Sequence, residues 1–173
     1  MTEHEQSGVA ASDPDSYSQM LQRGVLPPEY RAIADGIFGQ ENFTLLVIHV
    51  HLLVEKALNA HLKQRGFPEI TLGPEGLGFH QKVQAYHELL GANARKPTIF
   101  TVLNTLRNNV AHDFWDESDC VRAAFGRFLE GKKFASVLDD MAASPVDSVK
   151  FMYVVIGMRL GIIAPFPGPE VGA

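Results

Sequence analysis

Cysteine is almost absent from this chain of 173 residues, since Cys120 is its only thiol. One thiol cannot form a disulfide within the chain, so nothing in the sequence indicates an oxidising compartment. Cysteine pairs with the spacing of a zinc site are missing as well, and we expect neither a metal nor another cofactor. Phosphate-binding loops, dinucleotide fingerprints and internal repeats are also lacking, which leaves the common nucleotide-binding enzyme classes without support.

Positive charge is scarce, with 15 Lys and Arg against 20 Asp and Glu and a net charge of -5. This balance argues against a protein that holds nucleic acid by bulk electrostatics, although a small basic site remains compatible with it. The first eight residues, MTEHEQSG, lack the basic and apolar regions of a signal peptide. The longest apolar run, residues 45–54, is too short to span a membrane. We therefore expect a cytoplasmic protein that makes no membrane contact.

What the sequence does contain is helical periodicity and an ordinary apolar fraction of 46%. The spacing of apolar residues, caps and breakers predicts an all-α bundle without convincing strands. We expect residues 1–16 to be disordered, 17–164 to form one helical domain and 165–173 to form a Pro- and Gly-rich tail. A short helix could occupy residues 17–23, and a loop is predicted over 66–78. The other predicted helices cover residues 29–38, 43–64, 77–90, 98–113, 120–129, 134–141 and 146–160.

The stretch 98–113, TIFTVLNTLRNNVAHD, organises the rest of the chain. Its apolar residues recur at helical spacing and form one stripe, which consists of Ile99, Val102, Leu103, Leu106 and Val110. At about 100° per residue, Arg107 lies at the edge of this stripe, whereas Asn108 and His112 lie on the opposite side. We therefore expect His112 to face solvent or a partner chain. The alternative is a histidine in the last helical turn, where its charge complements the helix dipole.

The sequence Arg107-Asn-Asn-Val-Ala-His112 resembles the R-x4–6-H motif of the HEPN superfamily. Members of this superfamily are small all-helical domains. Many are metal-independent ribonucleases, often toxins, and others have lost activity and act as binding modules. The order of LLVEKAL, FHQKVQAYHELLG and RNNVAH is similar to that of the mannitol-operon repressor group, over about residues 42–115. The resemblance implies a HEPN-like helical bundle that dimerises through the motif helix.

The polar residues of the motif match the needs of RNA cleavage by the substrate's own 2′-hydroxyl. That reaction needs a base, an acid and stabilisation of the charge that grows on the phosphate. Histidine titrates near neutral pH, and arginine presents planar donors to phosphate. The candidate catalytic residues are therefore Arg107, Asn108 and His112. Because one histidine cannot easily perform both proton transfers, a two-fold dimer would supply a second copy.

Four further residues are predicted to support this site, namely His51, Glu55, Asn109 and Asp113. Glu55 lies on an apolar side of its helix, where a carboxylate needs a partner, and His51 and Arg107 are the candidates. The alternative is a surface glutamate at the edge of the packing. On the 77–90 helix, His80 and His87 are expected to face solvent or a partner.

Three functions remain open on the sequence alone. The first is a metal-independent endoribonuclease, typically a toxin of a toxin–antitoxin or phage-defence system, which would act on RNA as a homodimer. The second is a non-catalytic HEPN regulator or protein-binding module whose partner is an antitoxin or a regulatory protein. The third is a structural role for the motif, in which Arg107 pairs with Glu55 and His112 ends the helix.

Overall fold

A computed structural model describes residues 30–91, 98–112, 116–130 and 137–162. These four segments are helical and contain no strand, as the sequence predicts. The predictions for residues 1–16, 17–23 and 165–173 lie outside the described residues. The helices are α1 (Arg31–Gly36), which continues as a 3-10 turn (Ile37–Gly39), α2 (Phe43–Gln64), α3 (Glu69–Leu72), α4 (Phe79–Leu89), α5 (Ile99–Ala111), α6 (Glu117–Leu129), α7 (Val137–Ala143) and α8 (Pro145–Leu160).

The longest of these helices, α2, is the centre of the bundle and has the predicted bounds. It begins where the Asn42 side chain accepts a hydrogen bond from the Leu45 backbone N–H at 2.9 Å. It packs against α4, α5 and α8. By length and composition alone α2 could also cross a membrane, but the core helix of a globular protein has the same properties. Its core side chains include Leu46, Val50, Leu53, Val54 and Leu58.

Helix α5 buries the apolar stripe that the sequence predicts, with Val102, Leu103 and Leu106 almost fully enclosed. It ends at Ala111, two residues before the predicted end. His112 follows as the C-cap, and its backbone N–H bonds to the carbonyl of Asn108 at 3.2 Å. The polar residues of the motif therefore sit in the last turn of α5 and directly after it.

The remaining helices close the core around α2 and α5. Helix α6 begins at Glu117, three residues before the predicted start, because the Asp116 side chain caps it by accepting from the Ser118 N–H at 2.9 Å. The predicted loop 66–78 contains the short helix α3, whose four residues are too few for periodicity to reveal. The end of α8 is joined to α2 by a hydrogen bond of 2.8 Å between His61 Nε2 and the Leu160 carbonyl.

Candidate functional site

A groove of about 330 Å³ lies between α2 and the last turns of α5. Its α2 residues recur at spacings of one, three or four and therefore share one face of the helix. Arg107, His51 and Glu55 all line this groove, so the fold brings together three of the residues that the motif and its neighbours predicted. The lining residues are Thr44, Ile48, His51, Leu52, Glu55, Arg107, Val110 and Ala111.

The partner of Glu55 is Lys82, which neither sequence alternative anticipated. Lys82 Nζ donates to Glu55 Oε1 at 2.7 Å and to the Leu72 carbonyl at 3.0 Å. The Lys82 side chain is 2% exposed and that of Glu55 is 31% exposed. Pairing of Glu55 with His51 or Arg107 is therefore wrong, whereas its partial exposure agrees with the alternative position at the edge of the packing. The reason is that α4 turns Lys82 towards α2, which leaves a buried ammonium that requires a carboxylate.

A clue to Lys82 was present in the sequence. Lys82 follows Phe79 by three residues and precedes Tyr86 by four, so it lies on the apolar face of α4. A lysine there must either extend to the surface or find a buried partner. Its position relative to Glu55 depends on how α4 packs against α2, and a single helix does not determine that.

His51 lies half-buried beside this ion pair, with its ring over Phe79 at a centroid distance of 4.3 Å. Its Nε2 atom is buried and has no hydrogen-bond partner among the described residues. Burial is the main cause that lowers the pKa of His51 below its ordinary value. The Glu55 carboxylate opposes this shift, whereas the cations of Arg107 and Lys82 add to it. His51 is therefore held as the neutral imidazole at neutral pH.

Arg107 and His112 are both exposed at the end of α5. Arg107 Nη1 donates to Asn108 Oδ1 at 3.2 Å, and no carboxylate in the described segments pairs with its guanidinium. His112 does not line the groove. It follows Arg107 by five residues, or about 140° around the helix, so the two side chains leave α5 in different directions. Within one chain, Arg107 therefore lines the groove and His112 does not.

Two predicted supporting residues add less to this site. The Asn109 side chain is half-buried, and its Nδ2 atom is buried without a hydrogen-bond partner in the described part of the chain, so this donor is not presented to a ligand. Asp113 lies outside the described residues. The polar group at the end of α5 therefore reduces to Arg107, Asn108 and His112.

The two histidines of α4 differ from each other. His80 is exposed, as predicted, whereas His87 is only 2% exposed, so its predicted surface position is wrong. The cause is the packing of α4 on α5, which places the His87 ring 5.7 Å from that of Phe100. Burial, with a smaller effect of the Arg159 cation, lowers the pKa of His87.

Chemically, the groove offers a cation, a carboxylate and a neutral imidazole between apolar walls. The segments that the structure describes contain no group of three or more His, Cys, Asp or Glu side chains placed to hold a metal ion. The arrangement is suited to binding a molecule that carries both a negative group and N–H donors.

Comparison of the chain with protein-family profiles, with curated proteins and with solved structures found no match. The likeness to the HEPN superfamily therefore stays a prediction from the Arg107–His112 motif and from the order of the sequence segments around it. The residues of this chain, and the groove that they form, are the basis on which a function can be proposed.

Proposed function

We propose that this protein is a metal-independent endoribonuclease of the HEPN type. It would act as a homodimer in which the ends of two α5 helices form one cleft. The cleft would contain two copies of Arg107, Asn108 and His112, and RNA would be the substrate. A cytoplasmic toxin, paired with an antitoxin or used in phage defence, is the setting that we propose for it.

The observation that carries this proposal is the guanidinium of Arg107, which has no carboxylate partner among the described residues. A structural role for the motif requires Arg107 to pair with Glu55, but the ion pair of Glu55 is made with Lys82 at 2.7 Å. Arg107 is exposed and donates a hydrogen bond to the neutral Asn108 amide. An arginine without a carboxylate partner keeps its planar donors for a phosphate.

The chemistry follows from these side chains. One His112 would remove the proton from the 2′-hydroxyl, whose oxygen attacks the adjacent phosphorus atom. The His112 of the second protomer would give a proton to the departing 5′-oxygen. Arg107 would stabilise the negative charge that develops on the phosphate oxygens, and Asn108 would orient Arg107 through their 3.2 Å hydrogen bond. The products are a cyclic phosphate and a free 5′-hydroxyl.

Cleavage of mixed RNA in the presence of a chelator tests this proposal. We expect Arg107→Ala and His112→Ala each to reduce the rate by about 10²–10⁴-fold, the range for loss of an acid–base group or of charge stabilisation. DNA of the same sequence should remain intact because it lacks the 2′-hydroxyl. A matched control is His80→Ala, which removes another exposed histidine far along the chain from the motif.

The outcomes separate the alternatives. Equal cleavage by the wild type and His112→Ala, or no cleavage by either, would refute the catalytic proposal. Sedimentation of dilute protein tests the dimer, and a monomer at micromolar concentration would contradict the shared cleft.

A protein-binding role is the second candidate, and a surface formed by α7 and α8, which shares no lining residue with the groove at α5, favours it. Phe151 on α8 is 63% exposed and Val137 on α7 is 40% exposed. These side chains share a shallow groove with the carboxylates of Asp140 and Asp147. Exposed apolar residues beside acidic ones suit a basic, apolar segment of another protein. If no variant of the motif alters RNA cleavage, this surface becomes the main clue to function.

A further inference from the structure

We propose that the groove between α2 and α5 is a guanine-binding site. It would hold the base of the nucleotide whose phosphate contacts Arg107. The proposal rests on the proposed ribonuclease function for its substrate class, and it adds a base preference that the motif itself does not specify. The residues that would carry it are Glu55, Lys82 and Arg107, together with the apolar walls of the groove.

The size and walls of the groove suit one nucleotide. Its volume of about 330 Å³ is near the lower end of the range for small-molecule sites, which is about 300–1,000 Å³. The walls are aliphatic, with Ile48 and Leu52 on α2 and Val110 on α5. A planar base can lie between such side chains, whereas a folded protein segment of several residues would exceed the space. Ile48 is 46% exposed and would be covered by this ligand.

Glu55 is the group that would read the base. Lys82 holds Oε1 at 2.7 Å, and this contact fixes the position of the carboxylate at the groove. Oε2 makes no hydrogen bond within the described residues, and the side chain is 31% exposed. Each carboxylate oxygen has two lone pairs, so Oε1 can accept a second bond beside the one from Lys82. The carboxylate can therefore accept two parallel N–H bonds from a ligand.

Guanine is the RNA base that matches this acceptor pair. Its N1–H and its exocyclic amine are adjacent donors on the Watson–Crick edge, which is exposed in single-stranded RNA. Adenine and cytosine place a ring-nitrogen acceptor next to their amine, and uracil places a carbonyl on each side of its N–H. In these three bases an acceptor would face a carboxylate oxygen, and two acceptors cannot bond to each other.

Arg107 complements Glu55 with the opposite charge. Its guanidinium is exposed, lines the same groove and has no carboxylate partner among the described side chains. A nucleotide carries a phosphate for Arg107 and N–H groups for Glu55, so one ligand can bond to both side chains. His51 adds an uncharged wall, since burial lowers the pKa of its ring, and its Nε2 atom is buried.

Calorimetric titration with 3′-GMP, 3′-IMP, 3′-AMP and 3′-UMP tests this site without requiring cleavage. We expect 3′-GMP to bind at least about tenfold more tightly than 3′-AMP or 3′-UMP, the factor for one hydrogen bond to a charged group. Inosine lacks the exocyclic amine but keeps N1–H, so 3′-IMP should bind with intermediate affinity. Chemical-shift changes at the Arg107 side chain would locate the ligand in the groove.

Two variants separate base reading from phosphate binding. Glu55→Gln combined with Lys82→Met removes both members of the buried pair, so no unpaired charge remains and the fold should persist. This double variant should lose the preference for 3′-GMP, because its amide presents a donor where guanine also donates. Arg107→Gln should instead lower the binding affinity for all four nucleotides by similar factors. Glu69→Gln, at an exposed carboxylate on α3, is the matched control and should behave as the wild type.

Binding of all four nucleotides with equal affinity by the wild type, or no binding of any, would overturn the guanine site. Retention of the guanine preference by the double variant would overturn it as well. Binding of 3′-GMP in the groove without any RNA cleavage would support the site and contradict the ribonuclease. Cleavage of RNA with no preference for guanosine would support the ribonuclease and contradict the site.

Discussion

Two cations lie near Glu55 and the groove, and their situations are opposite: Lys82 is bonded to Glu55 from outside the groove lining, whereas Arg107 lines the groove. Lys82 is 2% exposed and is bonded to Glu55 and to a backbone carbonyl. Arg107 is exposed and is bonded to a neutral amide. A buried charge is destabilising when its partner is lost, whereas an exposed charge contributes little to stability. We therefore expect Lys82 to matter for stability, whereas the binding role that we propose for Arg107 should leave stability almost unchanged.

The largest effect should come from removing the partner of the buried cation. Glu55→Ala would leave the Lys82 ammonium buried with only the Leu72 carbonyl as an acceptor among the described residues. We expect a loss of roughly 3–5 kcal/mol in the free energy of unfolding, measured by urea denaturation. The double variant Glu55→Gln with Lys82→Met is the control, and it should lie within about 1.5 kcal/mol of the wild type. A loss below about 1 kcal/mol for Glu55→Ala would show that the pair behaves as an exposed one.

Lowering the pH should decrease the stability of the fold through His51 and His87, the two histidines whose pKa values burial lowers. The folded protein lowers the pKa of His51 and of His87, mainly by burial. Below a pH of about 6.5 the unfolded chain therefore binds more protons than the folded protein does, and stability falls as pH decreases. The contribution of these neutral rings is fully present above about pH 6.5. It is lost progressively as the pH falls towards the lowered values.

Urea unfolding of the wild type and of His87→Phe between about pH 5.5 and 7.5 measures this effect. The free energy of unfolding of the variant should decrease less steeply as the pH falls, because phenylalanine has no group that takes up a proton. Parallel curves for the wild type and His87→Phe would contradict the lowered pKa of His87.

The smallest effect should come from the exposed cation. Arg107→Ala removes no ion pair within the described residues, so we expect the free energy of unfolding to change by less than about 0.5 kcal/mol. Measuring this variant and Glu55→Ala in the same urea series compares the two cations directly. A loss above about 1 kcal/mol would assign Arg107 a structural role and would weaken its proposed role at phosphate.

Local signals in the sequence predicted the helices well where caps and periodicity agree. Helix α2 has the predicted bounds because Asn42 caps it and apolar residues continue for its whole length. The buried stripe of α5 follows for the same reason. The surroundings of Lys82 and His87 could not be predicted in this way, because they come from neighbouring helices and depend on the packing of α4 on α2 and α5. The activity of Arg107 and His112 stays a prediction until cleavage is measured.

The hydrogen bond between His61 and the Leu160 carbonyl joins residues 99 positions apart in the chain. The first half of α2 is apolar on nearly every side, yet α8, one of the main neighbours of α2, is among the last parts of the described chain to be made. At about 5–20 residues per second, a ribosome needs on the order of 5–20 s to make that intervening stretch. During this time α2 lacks one of its main packing partners, so its core cannot be completed until α8 has been made.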